Sequence, residues 1–220
     1  MSLDFRRQEG ILPSSRVERC SVTIVGCGAI GSHAAETLAK IGISSLVIWD
    51  DDFVEPHNLP NQGYRLIDLG KPKVVALQER LLTNLGVKAI AHRDRVGEDT
   101  DYKTNVVISA VDSMKARKHI WAGVQRSDSV ELFIDGRMGA QFGQVFSVHP
   151  KVPSSEEFYE KHLFDDTKGH EAPCTEKATI HCAVGLVSWI TASISAYIQQ
   201  MEVPKLFELD FANFHSEKVA

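Results

Sequence analysis

"VTIVGCGAIGSHAAETLAKIG", Val22 to Gly42, decides the fold: a β-rich run, a tight glycine turn and the opening of a helix. Gly26, Gly28 and Gly31 fit G-x-G-x-x-G, and "SSLVIWD" from Ser44 to Asp50 supplies a second buried strand, completing a βαβ unit. Backbone N–H groups at such a turn, backed by a helix N-terminus, hold phosphate oxygens, and a side chain there would block their approach. Asp50 closes the second strand 24 residues after Gly26, where a carboxylate accepts hydrogen bonds from a ribose. These features point to a nucleotide. They do not separate a nicotinamide dinucleotide from ATP, since both present phosphates and a ribose.

Outward from this unit the alternation continues. "PKVVALQERLLTNLG" opens with Pro72 and closes at Gly86, both helix-boundary signals, and "VKAIAHR" follows as a strand. "NVVISAVD", Asn105 to Asp112, is a fourth strand, and a helix from Ser113 to Val124 begins near a serine cap. Glu131 to Asp135 and Gly143 to Val148 are two strand-like runs whose glycine-rich connection is too short for a crossover helix, so they extend the parallel sheet in antiparallel fashion. The predicted architecture is therefore α/β, a doubly wound, mostly parallel sheet with an antiparallel extension on its C-terminal side. Residues 1–220 read as one domain, with an N-terminal arm over 1–20 and a long mobile loop over 151–178. The helix starting near Thr179 is apolar on nearly every face and is expected to be buried in the sheet layer or at a subunit contact.

The 220 residues carry a formal charge of −5, with 43% hydrophobic and 24% charged side chains, enough to bury a substantial core and poorly matched to nucleic acid. Cys20, Cys27, Cys174 and Cys182 contain no C-x-x-C pair and the N-terminus lacks an apolar signal core, so a cytoplasmic setting is expected. The apolar stretch Thr179 to Met201 is interrupted by His181, Ser188, Thr191, Ser193 and Ser195, and no membrane span is expected.

Chemistry is decided after the second strand. In "DDDFVEPHNLPNQGYRLIDLGKPKV" three acids precede Asn58, Gln62, Arg65 and Lys73, a gathering of amide and cationic donors that a dinucleotide does not need there. An ATP attacked at its α-phosphate does need them, because charge develops on the α-phosphate oxygens and on departing pyrophosphate. Asp112, at the end of the fourth strand, is placed to hold magnesium, with capping of the following helix as the lesser alternative. His33, His57 and His181 have no paired nucleophile at a readable spacing.

Together, "IVGCGAIGS", "WDDDFVEPHNLPNQ", "GKPKV", "SAVDSMKAR" and "IDGRMGAQFGQVF" resemble, in order, the landmarks of the ThiF and MoeB type activating enzymes, relatives of the adenylation domains of ubiquitin-activating enzymes. The resemblance implies a phosphate loop of Gly26, Gly28 and Gly31, ribose binding by Asp50, and Asp52, Asn58 and Gln62 in the same pocket. It also implies Lys73 on the phosphates and Asp112 on Mg2+, with Arg7 reaching the ATP of a neighbouring subunit and so requiring a homodimer. The implied reaction is ATP-dependent adenylation of a carboxylate, the C-terminal glycine of a ubiquitin-like or sulfur-carrier protein, and Cys174 is a candidate to take the acyl group. Two departures stand out: Asn61 occupies the position of a common arginine, leaving Arg65 as its candidate substitute, and the cysteine pairs of zinc-binding members are absent, so no zinc is expected. Rival readings are a nicotinamide-dependent oxidoreductase and a non-catalytic nucleotide- or partner-binding module.

Overall fold

The computed structural model describes residues 3–164 and 179–219. Eight strands form one sheet: β1 (Ser21–Val25), β2 (Ser45–Trp49), β3 (Ile90–His92), β4 (Val106–Ser109), β5 (Leu132–Gly139), β6 (Phe142–Val148), β7 (Leu206–Asp210) and β8 (His215–Val219). Their spatial order is β3-β2-β1-β4-β5-β6-β7-β8, parallel from β3 to β5 and antiparallel from there onward. The central strands are buried nearly end to end, as expected when both faces of a parallel sheet are covered. One apolar cluster joins Val22, Ile24, Leu38, Leu77 and Ile190 on one side, and a second joins Val107, Trp121, Phe133, Phe146 and Tyr159 on the other.

The helices are α1 (Ser14–Val17), α2 (Ala29–Lys40), α3 (Lys73–Leu85), α4 (Met114–Arg126), α5 (Pro153–Glu160) and α6 (Ile180–Ile198). Their ends follow local chemistry. Pro72 precedes α3 and Gly86 terminates it in the left-handed region at φ 71°, while the Ser113 hydroxyl caps α4 by accepting the Ala116 N–H at 3.2 Å. α6 is long and apolar enough to cross a membrane by length and composition; in the structure Cys182, Leu186, Ile190 and Ile194 are buried, and the helix packs against α2 and β6.

Three features depart from the sequence reading. The connection expected between the strands of the extension is itself strand: β5 runs to Gly139, β6 starts at Phe142, and Ala140 turns the chain at φ 52°. β7 and β8 continue the extension, unanticipated because β8 is exposed along its whole length and carries no buried-strand pattern. Within the expected loop over 151–178, α5 forms, with Pro153 in its first turn and Tyr159 fully buried against Trp121, Phe133 and Phe146. Tertiary burial of one aromatic ring orders a segment whose own sequence is polar. Residues 165–178, including Cys174, lie outside the described residues.

Candidate functional site

β1 has β2 on one side and β4 on the other, so the crossovers leaving β1 and β2 run opposite to the one reaching β4. This switch point, at the C-terminal ends of β1 and β4, is the crevice position where a doubly wound sheet receives its ligand. The glycine turn and the Ala110–Asp112 turn form its two lips. They abut closely: a Cβ on Gly26, whose φ is +92°, would stand 2.6 Å from the Ala110 carbonyl oxygen.

The three glycines have different duties. A Cβ on Gly31 would lie 1.8 Å from the Gly26 carbonyl oxygen, so that glycine is demanded by helix-to-turn packing. A Cβ on Gly28 would meet nothing within 4 Å. The chain itself does not need glycine there, whereas a ligand approaching the N-terminus of α2 does.

Asp50 closes the turn from the side. Its Oδ2 accepts the Cys27 N–H at 2.6 Å and its Oδ1 the Asp52 N–H at 2.8 Å, leaving one lone pair per oxygen for a ribose. Burial pushes its carboxyl above the ordinary value, opposed by the Lys73 ammonium and the two N–H donors. Lys73, 6% exposed at the start of α3, places Nζ 2.8 Å from Asp52 Oδ2. A cation at a helix N-terminus opposes the helix dipole by some tenths of a kcal/mol. Its position is explained by the acids it faces. One carboxylate oxygen from each of Asp50, Asp51 and Asp52 lies within 4.8 Å of the others, and Arg95 Nε reaches Asp51 Oδ2 at 2.7 Å.

Asn58 and Gln62 are carried to the glycine turn by the segment that contains them. The Gly63 N–H donates to Ser32 Oγ at 2.9 Å, and the Tyr64 hydroxyl donates to the Cys27 carbonyl at 2.7 Å. Asn58 is 5% exposed and its Oδ1 accepts the Glu55 N–H at 2.8 Å, so part of its role is to fasten this segment. Gln62 Oε1, Asn61 Oδ1 and His33 Nε2 are buried without hydrogen-bond partners within the described residues. Each such atom costs about 1–3 kcal/mol when left unpaired. Unpaired buried atoms of this kind are places where a water or a ligand group would supply the missing partner.

Asp112 is exposed on the second lip, a divergent turn away from the fully buried Ser109. A hard oxygen donor open to solvent beside a phosphate cradle fits Mg2+, which keeps several waters and takes one or two carboxylates. Arg65 does not join this group. Its Nε and Nη2 bond Asp68 at 3.0 and 3.1 Å, fastening a 3-10 turn, and among the described residues no hydrogen bond or ion pair ties it to the glycine turn. Arg95 is the additional arginine at the crevice, and the sequence reading missed it because charge pairing across β2 and β3 leaves no spacing signal.

Arg7 is exposed on the N-terminal arm, next to Gln8, whose side chain donates to the Ile41 carbonyl at 2.7 Å. Ile41 ends the helix that the glycine turn begins, so the arm is anchored about 18 Å from that turn, at 1.5 Å per helical residue. As placed, Arg7 is remote from its own chain's crevice. Cys27, inside the turn, is fully buried, and burial raises its thiol far above the ordinary value, excluding it as a nucleophile. Arg137 is largely buried: Nε donates to Asp135 at 2.7 Å and Nη1 to the His162 carbonyl at 2.9 Å.

Known proteins resemble this chain in sequence or in fold. The chain is 33% identical over 118 residues to ubiquitin-like modifier-activating enzyme 5 of Caenorhabditis elegans, covering 46% of this chain and 28% of that protein. It is 29% identical over 177 residues to the sulfur carrier protein ThiS adenylyltransferase of Escherichia coli, covering 78% of this chain and 68% of that one. E. coli MccB, solved with AMPCPP and MccA, superposes with a TM-score of 0.72 at 15% identity over 93% of this chain and 64% of MccB, a likeness of fold. The chain thus spans about a quarter of the length of the first relative and about two thirds of the second. Since the ThiF family model aligns with residues 5–219, taking in both lips of the crevice and the antiparallel extension, this protein belongs to the ThiF family.

Proposed function

We propose that this protein is an ATP-dependent adenylating enzyme acting on the C-terminal glycine carboxylate of a ubiquitin-like or sulfur-carrier protein. The observation that carries this reading is the buried Lys73 ammonium, held among the acids of the crevice beside an open glycine turn. Support comes from the naming of two relatives as an activating enzyme and an adenylyltransferase.

The substrate carboxylate, with a reference pKa of about 3.5, is ionised at neutral pH and attacks the α-phosphorus without a base. The new C–O–P linkage forms as the bond from the α-phosphorus to the bridging oxygen breaks, and pyrophosphate leaves with that electron pair. The Gly28 N–H and the N-terminus of α2 would face the phosphates, Lys73 would balance charge that accumulates during displacement, and Asp50 would orient the ribose. Mg2+, held by Asp112 and the triphosphate, would supply further charge neutralisation. Arg7 would complete the site of a second copy, making the working unit a homodimer, and Cys174 would accept the acyl group from the adenylate.

The test is exchange of labelled pyrophosphate into ATP, with small proteins ending in Gly-Gly encoded beside this gene as candidate partners. Exchange that appears only with a partner bearing a free C-terminal glycine is the expected result. Exchange with none of them, by protein that binds ATP, would leave a non-catalytic binding module as the better reading.

A further inference from the structure

We infer that Arg117 is a positioning residue for magnesium use: it holds the turn that carries Asp112, and so aims a carboxylate it never touches. The inference rests on the adenylation reading and on the assignment of Asp112 to the cation.

Arg117 lies in the first turns of α4, where its N–H donates to the Ser113 carbonyl at 3.2 Å, and its side chain doubles back under the Asp112 turn. Nη2 donates to the Val111 carbonyl at 2.5 Å and approaches the Gly136 carbonyl at 3.4 Å, while Nε donates to Asp135 Oδ1 at 3.0 Å. One side chain, 8% exposed, therefore clamps the peptide before Asp112 to the middle of β5. Only a planar fork with donors on separate nitrogens makes both contacts at once. Asp135, fully buried, accepts from three donors: Arg117 on Oδ1, and Arg137 Nε at 2.7 Å and the Tyr159 hydroxyl at 3.1 Å on Oδ2. Of these three donors, only Arg117 also bonds the Val111 carbonyl. Because Asp112 is exposed, its direction follows the peptide plane that Arg117 secures. A small octahedral cation tolerates little error in that direction.

The full chain is compared as wild type, Arg117→Lys, Arg117→Met, Tyr159→Phe, Asp112→Asn and the Arg117→Lys/Asp112→Asn double variant. ATP affinity is measured by calorimetry in EDTA and in Mg2+. Expected for Arg117→Lys, which keeps the charge beside Asp135, is metal-free affinity within twofold of wild type and a gain on adding Mg2+ reduced at least fivefold. Tyr159→Phe, which loosens Asp135 without touching Val111, should keep the gain, and the double variant should lose no more of it than Asp112→Asn alone. An undiminished gain in both Arg117 variants, an equal loss in Tyr159→Phe, or losses that multiply in the double variant would overturn the inference. Failure of both Arg117 variants to fold would overturn it too, assigning the residue to the fold alone. If wild type gains nothing from Mg2+, or Asp112→Asn keeps the whole gain, the magnesium assignment itself fails and the role of Arg117 falls with it.

Discussion

Replacing Lys73 with Met separates the demands of the ligand from those of the fold. The side chain is 7% exposed and its partner Asp52 is 60% exposed, so the ion pair is solvated from one side. Such a pair contributes at most about 1 kcal/mol to stability, and methionine recovers the apolar volume of the stem while removing a buried charge. A change of that size moves Tm by about 4 °C or less in a chain of this length. The nucleotide is affected far more. A hydrogen bond to a charged group contributes about 1.5–3 kcal/mol, so Kd for MgATP should rise roughly 10- to 150-fold. Pyrophosphate exchange should fall by about 10²–10³, the usual loss when one preorganised donor to developing charge is removed. Calorimetry, thermal unfolding and exchange on the same preparation give the three numbers. Wild-type MgATP affinity in a folded Lys73→Met protein would refute the phosphate assignment, and a Tm loss beyond 10 °C would show the lysine to be a fold element.

Asp50 should give ATP binding an acid limb above the ordinary carboxylate range: its folded-state value is raised by burial, so the ionised form burdens the ligand-free fold above that value and is relieved as pH falls through it, while ribose acceptance is lost over the same descent. Asp50→Asn should flatten this limb in a pH series of ATP affinities, and a limb of unchanged position would exclude Asp50 as its source. Gly31→Ala, with its Cβ 1.8 Å from a carbonyl oxygen, should cost about 3 kcal/mol or more in a denaturant titration, whereas Gly28→Ala should stay within about 1 kcal/mol of wild type and lose ATP binding. ATP binding retained by Gly28→Ala would move the phosphates away from this turn. Inactive Arg7→Ala mixed with inactive Asp112→Ala should regain exchange through heterodimers with one intact composite site, and no recovery despite demonstrated subunit exchange would argue against a shared site.

Local information was sufficient where neighbouring residues decide the backbone. The glycine spacing, the acid closing β2, Pro72 and Gly86 around α3, and the serine cap of α4 each act within a few positions, through backbone sterics or one hydrogen bond, so a linear reading reaches them. The positions of Lys73 and Asp50 were legible for the same reason: each sits at the end of a recognisable element. The pairing of Arg65 with Asp68 is equally local, yet it defeated the expectation that Arg65 replaces a phosphate contact, because the sequence does not say which neighbour a long side chain chooses. Tertiary structure decided the rest. Arg95 meets Asp51 only because β3 lies beside β2, and Arg117 meets Val111 and Asp135 only because β4 ends opposite Asp135 of β5. α5 forms because Tyr159 finds an aromatic pocket made by three other segments, and β8 because β7 offers it a free edge. Contacts between distant segments have no spacing in the chain; they exist once burial of the sheet's two faces has brought those segments together.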